Sequence, residues 1–218
     1  MGFFAQQLTD LTDDSVTPYR DLIERWNLLK KNPAAPISEP IEPIVWWIEN
    51  TTPIEFRDSV QDGILAWNQA FEKIGFENAI VVKVQPDDAE WDAGDIRYNV
   101  VRWTSSPTPP FSGYGPSFTN PRTGEIIGAD IMLEFAGVTR RVQYQRILET
   151  LDNANVSEPL TADYCTIGYG MHISQAFGRL AINSLQLGSA QEEQLVHEFL
   201  VDLTMHEIGH TLGFAHNL

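Results

Sequence analysis

A disulfide needs two cysteines, and this chain of 218 residues has one, Cys165, so no internal bridge forms. The residue reads either as a small buried hydrophobe or as half of a Cys–His nucleophilic pair, and no flanking motif supports the pair. Cationic side chains are also scarce. Fourteen Lys and Arg stand against 30 Asp and Glu, a formal charge of -16 that argues against a phosphate-binding surface and hence against nucleic acid as a partner. The same charge favours solubility. No apolar run is long enough to span a bilayer. "MGFFAQQLTD" has neither the basic nor the apolar region of a secretory signal, and the chain contains no repeat and no low-complexity tract.

What remains is ample for a core: a hydrophobic fraction of 43%, with eleven Phe and six Trp. Residues 1–40 read as an N-terminal arm and linker. "TPYRDLIERWNLLKK" can form a short helix with Leu22, Trp26 and Leu29 on one side, and the four prolines of "NPAAPISEPIEP" favour extended chain. The domain proper is expected over 41–218. "IVWWIEN", "AIVVKV", "NVVRWT" and "IIGADIMLEF" read as strands. A helix is expected over about 53–74, with Thr52 and Glu55 as a capping box, Val60, Ile64, Trp67, Phe71 and Ile74 as its stripe, and Gly75 as its stop. The Gly- and Pro-rich stretch 105–120 should be irregular apart from a short edge strand, and "NPRTGE" is a turn. Residues 138–151 look helical, and 155–188 read as one helix between loops. The order is α/β (α+β), with part of the sheet antiparallel.

The last helix is the most sharply marked. Ser189 and Glu192 suggest a second capping box, and Val196, Phe199 and Leu203 form a stripe that continues onto His206 and His210, pointing both histidines inward. One turn apart on a helix, two imidazoles can reach a single Zn²⁺, and Glu207 beside the first is placed to act as general base on zinc-bound water. Gly213 permits a sharp helix stop, and the turn it allows brings His216 back as a third ligand. HExxH by itself is a weak pattern, and His197-Glu198 is a decoy with Val201 where the second histidine should stand. The added Gly and His lower the accidental rate by roughly a thousandfold on background frequencies.

His206-Glu207-x-x-His210-x-x-Gly213-x-x-His216 resembles the metzincin zinc-protease signature, and most closely that of large multidomain bacterial zinc-dependent metalloproteases. "RWNLLKKNP", "AWNQAFEKIGFENAI", "IRYNVVRWT" and "NPRTGEIIGADIML", and the Asn217 that follows His216, are similar to the same group. The resemblance implies a zincin-like upper subdomain, a twisted and mostly parallel sheet with an antiparallel edge strand packed on the active-site helix. It further implies Zn²⁺ as cofactor, a peptide or protein substrate bound along an edge near Tyr114, Gly115, Ser117 and Phe118, flanking domains of a longer parent chain, and export to the periplasm or beyond. Metzincins carry a methionine turn downstream of the third histidine, whereas Met1, Met132, Met171 and Met205 all precede His216. The expectation is therefore a fragment without the lower subdomain, with His216 mobile or misplaced and zinc weakly held. Two alternatives to a zinc endopeptidase stay open: a zinc-binding or peptide-binding module without turnover, and a metallohydrolase of non-peptide amides.

Overall fold

The computed structural model describes residues 2–106, 113–134, 178 and 189–216. Ten strands and three helices are assigned among them: β1 Gly2–Phe3, β2 Ala5–Thr9, β3 Tyr19–Ile23, β4 Ile44–Ile48, α1 Ile54–Leu65, α2 Asn68–Lys73, β5 Ile80–Val84, β6 Asn99–Thr104, β7 Gly113–Tyr114, β8 Ser117–Thr119, β9 Ile126–Glu134, α3 Ser189–Thr211 and β10 Phe214–Ala215. The expected helix over 138–151, the reading of 155–188 and Cys165 lie outside the described residues.

The main sheet runs β5-β4-β6-β9-β7, and β8 also pairs with β9. The β4–β5, β4–β6 and β6–β9 pairings are parallel, while β7 and β8 run antiparallel to β9. This is the mixed, mostly parallel sheet with an antiparallel edge that the family resemblance implied. β4 shows why it forms: Ile44, Trp46 and Ile48 alternate with Val45 and Trp47, so one face of the strand is fully buried. That face meets Val60 and Ile64 of α1 and Phe199, Leu200, Leu203 and Ile208 of α3 in one apolar cluster. Trp47 on the other face is covered by Trp91 and Tyr98, which stack at 3.9 Å between ring centroids.

The single helix expected over 53–74 is two helices. The break falls at Ala66–Trp67, where side chains fasten the chain to its neighbours. The Trp67 indole N–H donates to the Met205 carbonyl at 2.8 Å, and the Asn68 amide both donates to and accepts from the Ile80 backbone. The Thr52–Glu55 capping box does not form. Pro53 is the N-cap without a side-chain hydrogen bond, and the Thr52 hydroxyl is buried with no partner among the described residues. Gly75 does stop the run, at φ +91°, with its own N–H bonded to Glu72 O and that of Phe76 to Phe71 O. The "NPRTGE" turn forms as expected, with the Thr123 and Gly124 amides on Asn120 O. Val196, Phe199 and Leu203 face the core as expected. The side chains of Ser189 and Glu192 are outside the described residues.

The short helix expected within 17–31 is absent. Tyr19–Ile23 is a strand paired antiparallel with Ala5–Thr9, from Ala5↔Ile23 to Thr9↔Tyr19. Leu22, Trp26 and Leu29 are apolar at helical spacing, but Leu29 is exposed, whereas Trp26 packs against the core cluster. Hairpin pairing satisfies the backbone of this stretch and overrides a weak three-residue stripe.

Candidate metal and catalytic site

α3 carries the site. It packs lengthwise on α1, and Gly63 marks the closest approach. A Cβ at position 63 would stand 2.7 Å from both the Thr204 Cβ and the Val201 carbonyl oxygen. Trp67 supports the next turn. Its indole lies against Gly209 and stacks on Phe214 at 5.5 Å and 11°. The helix is thus fixed along the two turns that hold His206 and His210. The two histidines are only half-buried, and the fully enclosed positions of this turn are Glu207 and Ile208. The inward orientation expected for the histidines belongs to Glu207 instead. The apolar stripe drifts relative to straight heptad steps, because 3.6 residues per turn carry it round the helix.

After Thr211 the chain turns at Gly213, with φ +97° and its N–H bonded to His210 O. No side chain fits at 213, since a Cβ there would collide with the Glu24 carbonyl oxygen. The turn returns the chain as β10 and delivers His216. Its Nε2 lies 3.2 Å from His206 Nε2 and 3.1 Å from His210 Nε2. His216, expected to be misplaced, is therefore brought together with its two partners, because β10 is not a loose end: it pairs with β1 as Gly2↔Ala215 and Phe3↔Phe214.

The ligand atoms of His206, His210 and His216 all lie within 4.8 Å of one another, close enough to hold one metal ion. Two nitrogens at about 2.0–2.1 Å from a tetrahedral zinc stand ~3.3 Å apart, near the separations observed. The protonation states suit a cation as well. His210 Nδ1 lies 2.8 Å from the Phe214 carbonyl, which can only accept, so Nδ1 carries the proton and Nε2 offers its lone pair. Burial, with His210 and His216 nearby, holds His206 down to about 4, and burial also lowers His210. Both imidazoles stay neutral at physiological pH, the form that binds metal.

Glu207 is 1% exposed, and neither carboxylate oxygen has a hydrogen-bond partner among the described residues. Burial pushes its pKa up to about 8. The edge strand lies directly over it. A Cβ on Gly113 of β7 would come within 2.6 Å of Glu207 Oε1, and one on Gly115 within 2.9 Å of the Glu207 carbonyl oxygen. Of the four expected substrate-side residues, Tyr114 is exposed and paired with Met132, Gly115 faces the α3 backbone, and Phe118 pairs with Gly128 in β8. Ser117 points the other way, its hydroxyl donating to Glu24 Oε2 at 3.4 Å.

Residues 188–218 match the Met-zincin family. The Met-zincin segment coincides with α3 and the histidine turn. It implies zinc as the cofactor, and with the three converging imidazoles it supports a zinc metalloprotease-type module. No curated protein and no solved structure matches the chain. No helix among the described residues is long and apolar enough to cross a membrane.

Four contributors to the site escaped the sequence reading. Phe4, Trp26, Trp67 and Gly113 all touch α3, its turn or Glu207. Trp67 belongs to a stripe of helical spacing, and Trp26 to a stretch that reads as an arm. For Gly113 the one available signal was its place between Ser112 and Tyr114 in an otherwise irregular Gly- and Pro-rich segment.

Proposed function

We propose that this protein is a zinc-dependent endopeptidase in which Glu207 is the general base and His206, His210 and His216 hold the metal. The observation that carries the reading is the pairing of three converging imidazole nitrogens with an adjacent, fully buried carboxylate that has no hydrogen-bond partner among the described residues. A buried carboxylate left without partners is costly, and such groups concentrate at functional sites. Zinc bound by the three histidines supplies a Lewis acid that polarises a carbonyl and makes water acidic enough to deprotonate near neutral pH. The nearby cation would favour the ionised form of Glu207, opposing the effect of burial.

In this reading Glu207 takes the proton from the attacking water and then delivers it to the departing amine nitrogen, so one carboxylate serves both halves of the hydrolysis. The glycines at 113 and 115 let β7 and the turn after it approach Glu207 without a side chain in between. An extended peptide added beside β7 would have its backbone aligned by main-chain hydrogen bonds, with Tyr114 and Phe118 as candidate side-chain contacts. Such alignment selects a peptide over a small amide, which favours peptidase over the non-peptide alternative.

The test is zinc content and cleavage of a quenched fluorescent peptide library by the protein as its gene encodes it, beside Glu207→Ala. The expected result is stoichiometric zinc in both proteins and loss of cleavage by at least about a hundredfold in the variant, as for other acid–base groups. Equal cleavage by both proteins would refute the role of Glu207. Zinc without cleavage in either would favour the module without turnover.

A further inference from the structure

We infer that the segment from Gly2 to Trp26 is a working part of the metal site: a clamp that holds the turn carrying His216, with Trp26 as its main positioning residue. The inference rests on the zinc reading of the three histidines, and adds to it a source for the third ligand's placement.

Four sets of contacts converge on the few residues between His210 and His216. The Trp26 indole N–H donates to the Thr211 carbonyl at 2.8 Å. The Phe4 N–H donates to the Gly213 carbonyl at 2.8 Å, and the Phe4 carbonyl in turn accepts from Glu24 N–H at 3.0 Å. β1 pairs with β10 through Gly2↔Ala215 and Phe3↔Phe214. The Phe4 ring stands 5.9 Å from that of His210. Gly213 therefore lies between Phe4, which bonds its carbonyl, and the Glu24 backbone, which occupies the space of its absent side chain.

Each contact answers a need of the turn itself. Thr211 is the last residue of α3, and its carbonyl belongs to the terminal group that no intrahelical amide can reach. It is also wholly buried, so water cannot substitute for the indole. Gly213, chosen for its positive φ, is intrinsically flexible, and a ligand hung three residues beyond it would sample many positions unless the strand after it were paired. β1 supplies that pairing. The clamp is tied down in its turn: Arg25 bridges to Glu125, with the Arg25 amide on Gly124 O and the Ile126 amide on Arg25 O, which joins the segment to the start of β9. Gln6 donates to Glu24 across the hairpin at 2.8 Å. The third ligand is thus referenced to the sheet through the N-terminal segment as well as through α3.

If the clamp works through His216, loosening it must weaken zinc only while His216 is present. The experiment is a double-mutant cycle on the full chain, with wild type, Trp26→Phe, His216→Ala and the double variant, read as zinc affinity by competition with a chromophoric chelator. Cobalt(II) absorption reports the coordination number alongside. Phenylalanine keeps a six-membered ring against the core and removes the N–H donor with the pyrrole ring that carries it, so the expected loss is about three- to tenfold in zinc affinity, the worth of about one hydrogen bond. In the His216→Ala background the same change should alter affinity by less than about twofold. If Trp26→Phe does not fold, Phe4→Ala run through the same cycle carries the test. Unchanged zinc affinity in Trp26→Phe overturns the clamp, as does an equal loss in both backgrounds, which marks general destabilisation. Failure of the wild-type chain to bind zinc overturns the metal site and the clamp with it.

Discussion

Gly63→Ala tests whether the position of α3 is set by contact with α1. The added Cβ would stand 2.7 Å from Val201 O, 2.7 Å from Thr204 Cβ and 3.2 Å from Met205 N. Two of these three atoms are backbone, so no rotamer change relieves the overlap and the helices must separate by several tenths of an ångström. Overpacking of this kind costs about 1–3 kcal/mol, and the absence of a yielding side chain argues for the upper part of that range. Against it stands the helix propensity of alanine, which favours the substitution by about 1 kcal/mol. The net is a destabilisation of about 1–2 kcal/mol, read as a fall in Tm of about 2–8 °C for a chain of this size. Because the contact lies within one turn of His206, zinc affinity should fall in parallel. The matched control is Gln61→Ala, an exposed position on the same helix, expected to stay within about 0.5 kcal/mol. Thermal melts followed by circular dichroism, with and without zinc, measure both quantities. If Gly63→Ala melts at or above the wild-type temperature, the helices are not in close contact there, and the account of how α3 is held fails.

Other expectations follow from the same geometry. Gly213→Ala forces a non-glycine residue to φ +97° against the Glu24 carbonyl, so it should cost about 1–3 kcal/mol and release His216, seen as zinc affinity lowered at least tenfold. In chelator-treated protein, burial raises Glu207 from 4.5 to about 8, so the folded state retains a proton that the unfolded chain has lost. Its stabilising contribution is complete below about pH 4.5 and disappears as pH rises through about 8. Glu207→Gln should therefore melt close to wild type at pH 4–5 and become the more stable protein by roughly 2–4 kcal/mol near pH 8. Equal melting temperatures at pH 8 would show that the carboxylate is solvated. Zinc at about a thousand times its Kd should stabilise the wild type by about 4 kcal/mol, and His206→Ala should lose most of that response. Gly113→Ala pushes on the Glu207 carboxylate and not on the histidines, so peptide cleavage should fall while zinc content stays stoichiometric.

The order of strands and helices was readable because each central element repeats its own signal. β4, β5, β6 and β9 are dense in Val, Ile and Trp, and α3 carries Val196, Phe199 and Leu203 at helical spacing ahead of its histidines. The histidine motif was readable for a related reason: helical spacing puts His206 and His210 one turn apart and a glycine permits the return, whereas the contacts that hold His216 in place come from residues 2–26. Errors arose where a local pattern competed with a distant partner. The stripe that runs through Trp67 is continuous in sequence, yet the helix breaks there because the indole reaches Met205, 138 residues away. The apolar spacing of Leu22, Trp26 and Leu29 is helical, yet the chain is a hairpin that meets the far end of the sequence. No window of local periodicity contains that information.

The same separation bears on how the site is assembled. α3 alone supplies His206, Glu207 and His210, so their placement relative to one another is set within one helix. His216 differs in kind. Its position depends on a glycine with no preferred conformation and on pairing with β1, so it is completed only when residues 2–26 meet the turn after α3. Closing so long a loop carries an entropic cost that grows slowly with length and is then shared among the Trp26, Phe4 and β1 contacts. Zinc binding and docking of the N-terminal segment therefore favour each other. A ligand that binds the docked state shifts the balance toward it by its difference in affinity for the two states. Zinc should accordingly protect the Phe4 and Glu24 amides from hydrogen exchange, although neither residue is a ligand. If exchange at both amides is the same with and without zinc while zinc is bound at three histidines, the two processes are independent, and the third ligand is held by α3 and its turn alone.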